Sequence, residues 1–308
     1  MTFKSGFVAL VGRPNVGKST LVNRLLGEKV SIVSPKAQTT RNRIHAILNR
    51  EDAQVVFVDT PGLTAPKDAL RKALRSVAGT AAADSDAVLV VVEVQPKDPS
   101  KISGEDEAVL KTASSGTGRV VVALNKIDRL PQMELALPWI AGYAERTGAA
   151  VVPVSALRSD GLDALMEQIL EQLPEGPPLF PTDMHTDQAE RFLVAELVRE
   201  QLLYKLRDEV PHSCHVVVEV FEDSRDEDGG MVHIEGRIVV ERDSQKGIVV
   251  GKKGATIKEV STKAREQMEA VLHAKVFLRL QVTVAKNWTQ DPRAIQKYGF
   301  NDPSAPSS

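Results

Sequence analysis

Residues 12 to 19, Gly12-Arg13-Pro14-Asn15-Val16-Gly17-Lys18-Ser19, match the phosphate-loop pattern G-x-x-x-x-G-K-[ST] at every required position. Upstream, Phe7-Val8-Ala9-Leu10-Val11 is a continuous apolar run of the kind that buried parallel strands show. Downstream, the stretch from Ser19 and Thr20 to Leu26 carries helical apolar spacing. A strand that passes through such a loop into a helix aims backbone N–H groups and the positive end of the helix at one point, where a phosphate chain fits. We therefore expect residues 12 to 20 to hold a nucleoside triphosphate. Lys18 is expected to reach the outer phosphates and to be solvated when the site is empty, and the Ser19 hydroxyl is expected to meet Mg²⁺.

The base is read from Asn125-Lys126-Ile127-Asp128, which directly follows the apolar run Val120-Val121-Val122-Ala123-Leu124 and so sits at a strand's carboxyl end, where open α/β sheets hold ligands. An ionised Asp128 accepts two hydrogen bonds from the N1–H and exocyclic amine of guanine. Adenine has no matching donor pair, so the carboxylate selects GTP and GDP. Ser155-Ala156-Leu157 follows Val151-Val152-Pro153-Val154 and is expected to place backbone N–H groups beside the guanine. Between these segments, Asp59-Thr60-Pro61-Gly62 follows Val55-Val56-Phe57-Val58. An aspartate there serves Mg²⁺, and the Gly62 N–H can meet the γ-phosphate. Gln38-Thr39-Thr40-Arg41 offers a hydroxyl to complete the Mg²⁺ shell, with Thr40 preferred and Thr39 beside it.

These five segments in this order, each expected at the end of an apolar strand, resemble the translation-factor-related GTPases. The wording of residues 12 to 19 together with Asp59-Thr60-Pro61-Gly62-Leu63 is most similar to the TrmE-Era-like branch. In that branch an asparagine at the place of Asn15 helps hold a K⁺ ion near the β- and γ-phosphates; a loop-shaping role for Asn15 is the alternative reading. Position 63 is leucine, not the glutamine that orients water in Ras-type enzymes, so intrinsic turnover is expected to be slow.

The second half begins after Pro174-Glu175-Gly176-Pro177-Pro178-Leu179-Phe180-Pro181, whose prolines exclude a helix and favour a stiff extended connector. Residues 187–206 read as a helix with Phe192, Ala195, Val198 and Leu202 on one stripe. Alternating valines and isoleucines around 216–220 and 232–240 read as two strands. The acidic run 222–228 before Gly229-Gly230 reads as a solvated loop. Then comes Gly251-Lys252-Lys253-Gly254, which resembles the G-x-x-G loop of a KH module, the element that clamps the backbone of single-stranded nucleotides. A bare G-x-x-G is only a turn, and the flanks decide. A helix with Ile257, Val260, Ala264, Met268 and Leu272 follows, and then a strand alternating through Val276, Leu278, Leu280, Val282 and Val284. Helix, strand, strand, helix, strand is the bacterial, type II KH order. The chain carries formal net charge −2, yet residues 242–286 hold ten Lys or Arg against four acids. Such a local excess suits a phosphate-binding face, and Gly251, Lys252, Lys253, Gly254, Ile257 and Lys258 are the residues expected to meet RNA.

The C-terminal stretch from Lys286 to Phe300 is similar to the end of the Era family, and the resemblance spans residues 3 to 300. It implies an α/β phosphate-loop GTPase domain (1–173; mostly parallel sheet, helices on both faces), a proline-rich linker (174–184), an α+β KH RNA-binding domain (185–300) and a disordered tail (301–308). It further implies a factor for maturing the small (30S) ribosomal subunit that binds near the 3′ end of its ribosomal RNA, with peripheral contact to the inner face of the cell membrane. We expect a monomer that binds RNA and not DNA.

At 42% apolar and 26% charged residues the composition is that of a globular protein. No apolar run reaches the ~20 residues of a membrane span, and no signal peptide precedes the first strand, so a cytoplasmic location is expected. His212-Ser213-Cys214-His215 is not read as a metal site, because a strand turns Cys214 and His215 to opposite faces. A metabolic kinase would share residues 12–19 but would not need the segment at 125–128 or the KH module. An RNA-binding protein with a merely structural nucleotide site would not need the candidate Mg²⁺ ligands Ser19, Thr40 and Asp59.

Overall fold

The computed structural model describes residues 2–64, 68–95, 102–114, 119–227 and 229–300. The first half of the chain forms β1 (Lys4–Val11), α1 (Lys18–Leu26), β2 (Ile44–Asn49), β3 (Ala53–Asp59), α2 (Ala69–Asp84), β4 (Ala87–Glu93), α3 (Gly104–Ala113), β5 (Val120–Asn125), α4 (Leu137–Thr147), β6 (Ala150–Pro153) and α5 (Leu162–Gln172). These strands make one six-stranded sheet in the order β2-β3-β1-β4-β5-β6. Every neighbouring pair is parallel except β2 with β3.

Valine-rich strands suit a sheet covered on both faces, and the two-residue period divides them cleanly. Leu89 and Val91 point with Leu10 and Phe57 into a cluster closed by Leu21, Val22, Leu165 and Ile169 from α1 and α5. Val88, Val90 and Val92 point the other way, against Ala78, Ala82, Val109, Trp139 and Tyr143 from α2, α3 and α4. The carboxyl ends of β1, β3 and β5 therefore open onto one edge, where the candidate segments lie.

The second half forms α6 (Glu190–Lys205), β7 (His215–Asp223), β8 (Val232–Val240), α7 (Asp243–Val250), α8 (Ala255–Leu272), β9 (Val276–Val284) and α9 (Pro292–Lys297). β8 pairs antiparallel with β7 and parallel with β9, and α6 and α8 pack on the sheet through one core cluster. The expected element order is present, with α7 and α8 flanking the Gly251-to-Gly254 segment. Two details differ from expectation. Glu222 and Asp223 belong to β7 and are not loop, while Asp228 and the tail 301–308 lie outside the described residues. The buried face of α6 is Val194, Leu197, Val198, Leu202 and Leu203, with Phe192 and Ala195 only half-buried. The expected stripe fails because this helix is covered on more than one side, so its polar residues Arg199 and Glu200 are buried too.

The proline-rich connector is extended but not free. Ser5 N–H donates to Pro174 O at 3.1 Å, Gly176 N–H to Phe3 O at 3.0 Å, and the Ser5 hydroxyl to Pro177 O at 2.7 Å. The buried Gln54 amide accepts from the N–H groups of Leu179 (2.6 Å) and Phe180 (2.9 Å) and donates to Phe180 O (2.8 Å). A segment rich in proline lacks donors of its own, so its carbonyls and few N–H groups are satisfied by the sheet edge and one buried amide. The chain thus leaves the first domain along a fixed path, reaching Ile47, whose N–H donates to His185 O at 2.8 Å.

Among the described residues, two apolar contacts join the domains. The loop between α1 and β2 inserts Ile32 into the core cluster of the second domain. On the other side Leu70 and Leu74 of α2 pack with Trp288, Ile295 and Phe300.

Candidate functional site

The loop between β1 and α1 folds back on itself: the Lys18 ammonium donates to Gly12 O (3.2 Å) and Arg13 O (3.1 Å). Lys18 is enclosed, where the sequence led us to expect a solvated side chain. It is buried at 6% exposure, and burial pushes its pKa down to about 8, with only the Asp59 charge working against that shift. The reason is geometric, since the loop that encircles a phosphate also encloses the cation meant to meet it.

Ser19, Thr40 and Asp59 converge. The Ser19 hydroxyl lies 2.9 Å from the Thr40 hydroxyl and donates to Asp59 Oδ2 at 2.8 Å; Thr40 donates to the same oxygen at 3.1 Å. Asp59 is fully buried, its other carboxylate oxygen has no hydrogen-bond partner among the described residues, and burial raises its pKa. A compact set of hard oxygen donors around a buried carboxylate fits Mg²⁺, and a cation there would restore the ionised state that burial disfavours. Thr39 does not join the cluster: its hydroxyl donates to Lys36 O at 2.8 Å and bonds Ser34. Gln38-Thr39-Thr40-Arg41 also departs from its expected setting, for it lies in the loop before β2 and follows no strand. Gly62 lies directly over the phosphate loop between β1 and α1, where a Cβ would stand 2.7 Å from Pro14 N. Any side chain there must displace backbone, so the close approach needs glycine.

Asn125 joins the phosphate loop to the base segments. Its Nδ2 donates to Val16 O at 2.8 Å, while its Oδ1 accepts from the N–H groups of Lys126 (2.8 Å) and Ala156 (3.0 Å). The Ala156 N–H is thereby held by the same amide that holds the phosphate loop. Asp128 accepts from the Ser155 hydroxyl at 2.6 Å, and Arg158 N–H donates to that hydroxyl. Leu157 is exposed. Lys126 spans Asn15 O and the Glu93 carboxylate. Asn15 adopts a left-handed backbone (φ 64°) and donates to Pro35 O at 2.9 Å, tying the phosphate loop to the Thr40 loop.

Sequence reasoning missed the carboxylates that hold these cations. Asp106 of α3 accepts from Arg13 Nε at 2.7 Å and from Tyr143, and Glu93 serves Lys126. It also missed Arg199 and Glu200. Glu200 accepts from Val33 N–H at 2.9 Å and Lys29 at 2.7 Å, and Arg199 donates to Thr39 O. On a lone sequence those are ordinary polar positions of a helix, and no local signal distinguishes them.

In the second domain, Lys252 and Lys253 stand exposed between α7 and α8, with Lys258 exposed one turn on and Ile257 half-buried against the core. Lys253 (φ 51°) and Gly254 (φ 79°) both take left-handed backbone, the sharp reversal that presents the two ammonium groups. Ile248 on α7 is 49% exposed beside them. Cys214 is buried in the core and His215 lies among Trp288, Tyr298 and Phe300, so the two side chains do not converge.

Residues 7–126 match the family described as 50S ribosome-binding GTPase, and residues 209–289 match the KH domain family. GTPase Era of Geobacter metallireducens is 45% identical over 299 residues, covering 97% of this chain and 98% of that protein. This chain belongs to the Era family of GTPases. The Syntrophus aciditrophicus Era GTPase is 43% identical over 301 residues, 97% of this chain and 96% of that one. An Aquifex aeolicus Era variant bound to GDP and AlF4⁻ superposes with a TM-score of 0.91 at 38% identity, covering 97% of this chain and 99% of the other. Era in complex with MgGDPNP and nucleotides 1506–1542 of 16S ribosomal RNA gives 0.90 at the same identity and coverage. The chain is accordingly a GTPase that takes guanine nucleotide with Mg²⁺, and the kinase reading falls.

Lys18 supplies a test of the phosphate loop. With a pKa of about 8 it is largely neutral at pH 8.5, and a bound triphosphate restores its charge, so GTP binding takes up a proton there; at pH 6.5 it is already charged. Calorimetric titration in two buffers of different ionisation enthalpy should show net uptake at pH 8.5 that Lys18→Ala removes. Uptake equal in the variant would show that the proton goes elsewhere.

Proposed function

We propose that this Era-family GTPase binds single-stranded RNA at the 3′ end of the small-subunit ribosomal RNA through its second domain and acts in assembly of the 30S subunit. The observation that carries the reading is the pair of exposed lysines on the left-handed turn between α7 and α8, within a domain of the KH family. The Era complex with nucleotides of 16S ribosomal RNA supports the same target. In this reading Lys18 and the Gly12-to-Thr20 loop cradle the phosphates, Asp128 reads guanine, and Ser19, Thr40 and Asp59 hold Mg²⁺, which when bound neutralises charge on the β- and γ-phosphates.

Hydrolysis is slow in this proposal because no side chain at position 63 can orient water. Leu63 is buried in the apolar cluster beneath α2, held there by its N–H bond to Gly12 O at 3.0 Å. Asn15 offers the compensating device. Its Nδ2 is engaged with Pro35, which leaves the amide oxygen to accept a K⁺ ion beside the phosphates. The protein works as a monomer in the cytoplasm, with peripheral contact to the membrane as a secondary association. Among the described residues no helix is long and apolar enough to cross a membrane.

Gly254→Asp places a carboxylate and a strained side chain at the turn, and should weaken binding of a 3′-terminal small-subunit RNA fragment at least tenfold while leaving GTP hydrolysis unchanged. Retained RNA affinity would move the RNA site elsewhere. For the cation, single-turnover hydrolysis in K⁺ should exceed that in Na⁺, and Asn15→Ala should erase the difference. Equal wild-type rates in the two salts would dispose of the K⁺ assignment.

A further inference from the structure

A second cavity, of about 490 Å³, lies where the Thr40 loop meets α6, β7 and the C-terminal segment, and shares no lining residue with the nucleotide pocket. That size falls within the roughly 300–1,000 Å³ of small-molecule sites. Its lining residues include four arginines and one lysine but a single carboxylate, Glu196. That carboxylate is already taken by Arg199, whose Nε donates to it at 2.7 Å. Arg237 pairs with Glu219 at 2.8 Å. Among the described residues Arg41 pairs with no carboxylate: its guanidinium donates to the main-chain carbonyls of Cys214 (2.8 Å), His212 (2.6 Å) and Pro211 (3.4 Å).

Arg41 and Arg199 are buried at 2% and 1% exposure, and each keeps one guanidinium nitrogen, Nε of Arg41 and Nη1 of Arg199, without a hydrogen-bond partner among the described residues. Two buried like charges facing one carboxylate leave net positive charge out of water, an arrangement that a bound anion would relieve. The strain registers on Arg41, whose pKa burial and the Arg199 charge push down to about 9. Arg191 and Lys297 add exposed cations at the rim. The remaining wall is aromatic. Phe192 and Tyr298 line it, and Tyr298 is fixed against the His215 ring at a centroid separation of 4.7 Å. Burial pushes the pKa of His215 down to about 3, so that ring is neutral and adds apolar surface, not charge.

We propose that this cavity is a second ligand site, for a small anion bearing a planar ring, of the mononucleotide class. Its phosphate meets Arg41 and Arg199 and its ring lies on Phe192 and Tyr298, a combination of guanidinium and aromatic contacts that suits such a ligand. Arg41 follows Thr40 directly, so the occupant would touch the loop that carries a hydroxyl to the Mg²⁺ cluster.

The test uses the full chain with its GTP site filled by Mg²⁺ and a non-hydrolysable GTP analogue, titrated separately with AMP and with inorganic phosphate. AMP is chosen because adenine lacks the donor pair that Asp128 accepts. One AMP per chain should bind, at least tenfold tighter than phosphate. The rim double variant Arg191→Glu/Lys297→Glu, both exposed positions, should weaken AMP at least tenfold with GTP affinity and melting temperature unchanged, and Gly254→Asp should leave AMP binding as it was. Absence of saturable AMP binding, binding no tighter than phosphate, binding unaffected by the rim variant, or loss of AMP binding in Gly254→Asp would each overturn the proposal.

Discussion

A buried cation at the junction of the two domains organises this molecule. Arg41 leaves the loop that carries Thr40 and ends among three main-chain carbonyls just before β7, while Arg199 returns from α6 to the carbonyl of Thr39. Thr40, which approaches Ser19 and Asp59, is thus gripped on both flanks by the KH half. Glu200 fixes the same loop further upstream through Val33 and Lys29, and Ile32 is buried in the second domain's core. Moving Thr40 away from Ser19 and Asp59 requires these contacts to break or the second domain to follow.

The other face of the junction follows the same logic. The α2 helix begins shortly after Gly62, and its Leu70 and Leu74 pack against Trp288, Ile295 and Phe300, with Leu70 N–H donating to Thr289 O at 3.3 Å. Trp288 is anchored in turn by its indole N–H on Ser213 O at 2.9 Å. The loop that carries Thr40 and the segment that follows Gly62 therefore both lean on the KH half, and the connector between the domains is itself bonded to the sheet edge through Gln54 and Ser5. Packing of this kind gives a local contact with phosphate a route to the arrangement of the domains. Linkage then requires RNA and GTP to favour each other by the same factor, typically about 1 to 3 kcal/mol.

Much of this was legible in the residues, for reasons that differ by element. The phosphate loop and the Asn125-to-Asp128 segment are visible because the chemistry expected of them demands fixed residues at fixed spacing behind apolar strands. The G-x-x-G turn became readable only through the periodicity of α8 and β9 around it. Lys18 was misjudged because enclosure by its own loop is a property of the folded backbone and leaves no trace in spacing. The face of α6 was misjudged because Phe192 and Ala195 have helical spacing equal to that of the true core, and only the arrival of the Thr40 loop decides which polar side chains are buried. Asp106, Glu93, Arg199 and Glu200 act across more than thirty residues of sequence, and a single chain offers no local mark for such pairs.

The central claim is that the nucleotide state and the RNA-binding half are coupled through the Thr40 loop. Its most direct measurement is the dissociation constant of a single-stranded small-subunit RNA 3′ fragment, at one salt concentration, for protein loaded with a non-hydrolysable GTP analogue and with GDP. The account predicts binding at least several-fold tighter with the analogue, and a ratio that falls toward one in Glu200→Gln, where the grip on Val33 and Lys29 is weakened. Identical constants with both nucleotides in the unaltered protein would contradict it and leave two independent binders on one chain.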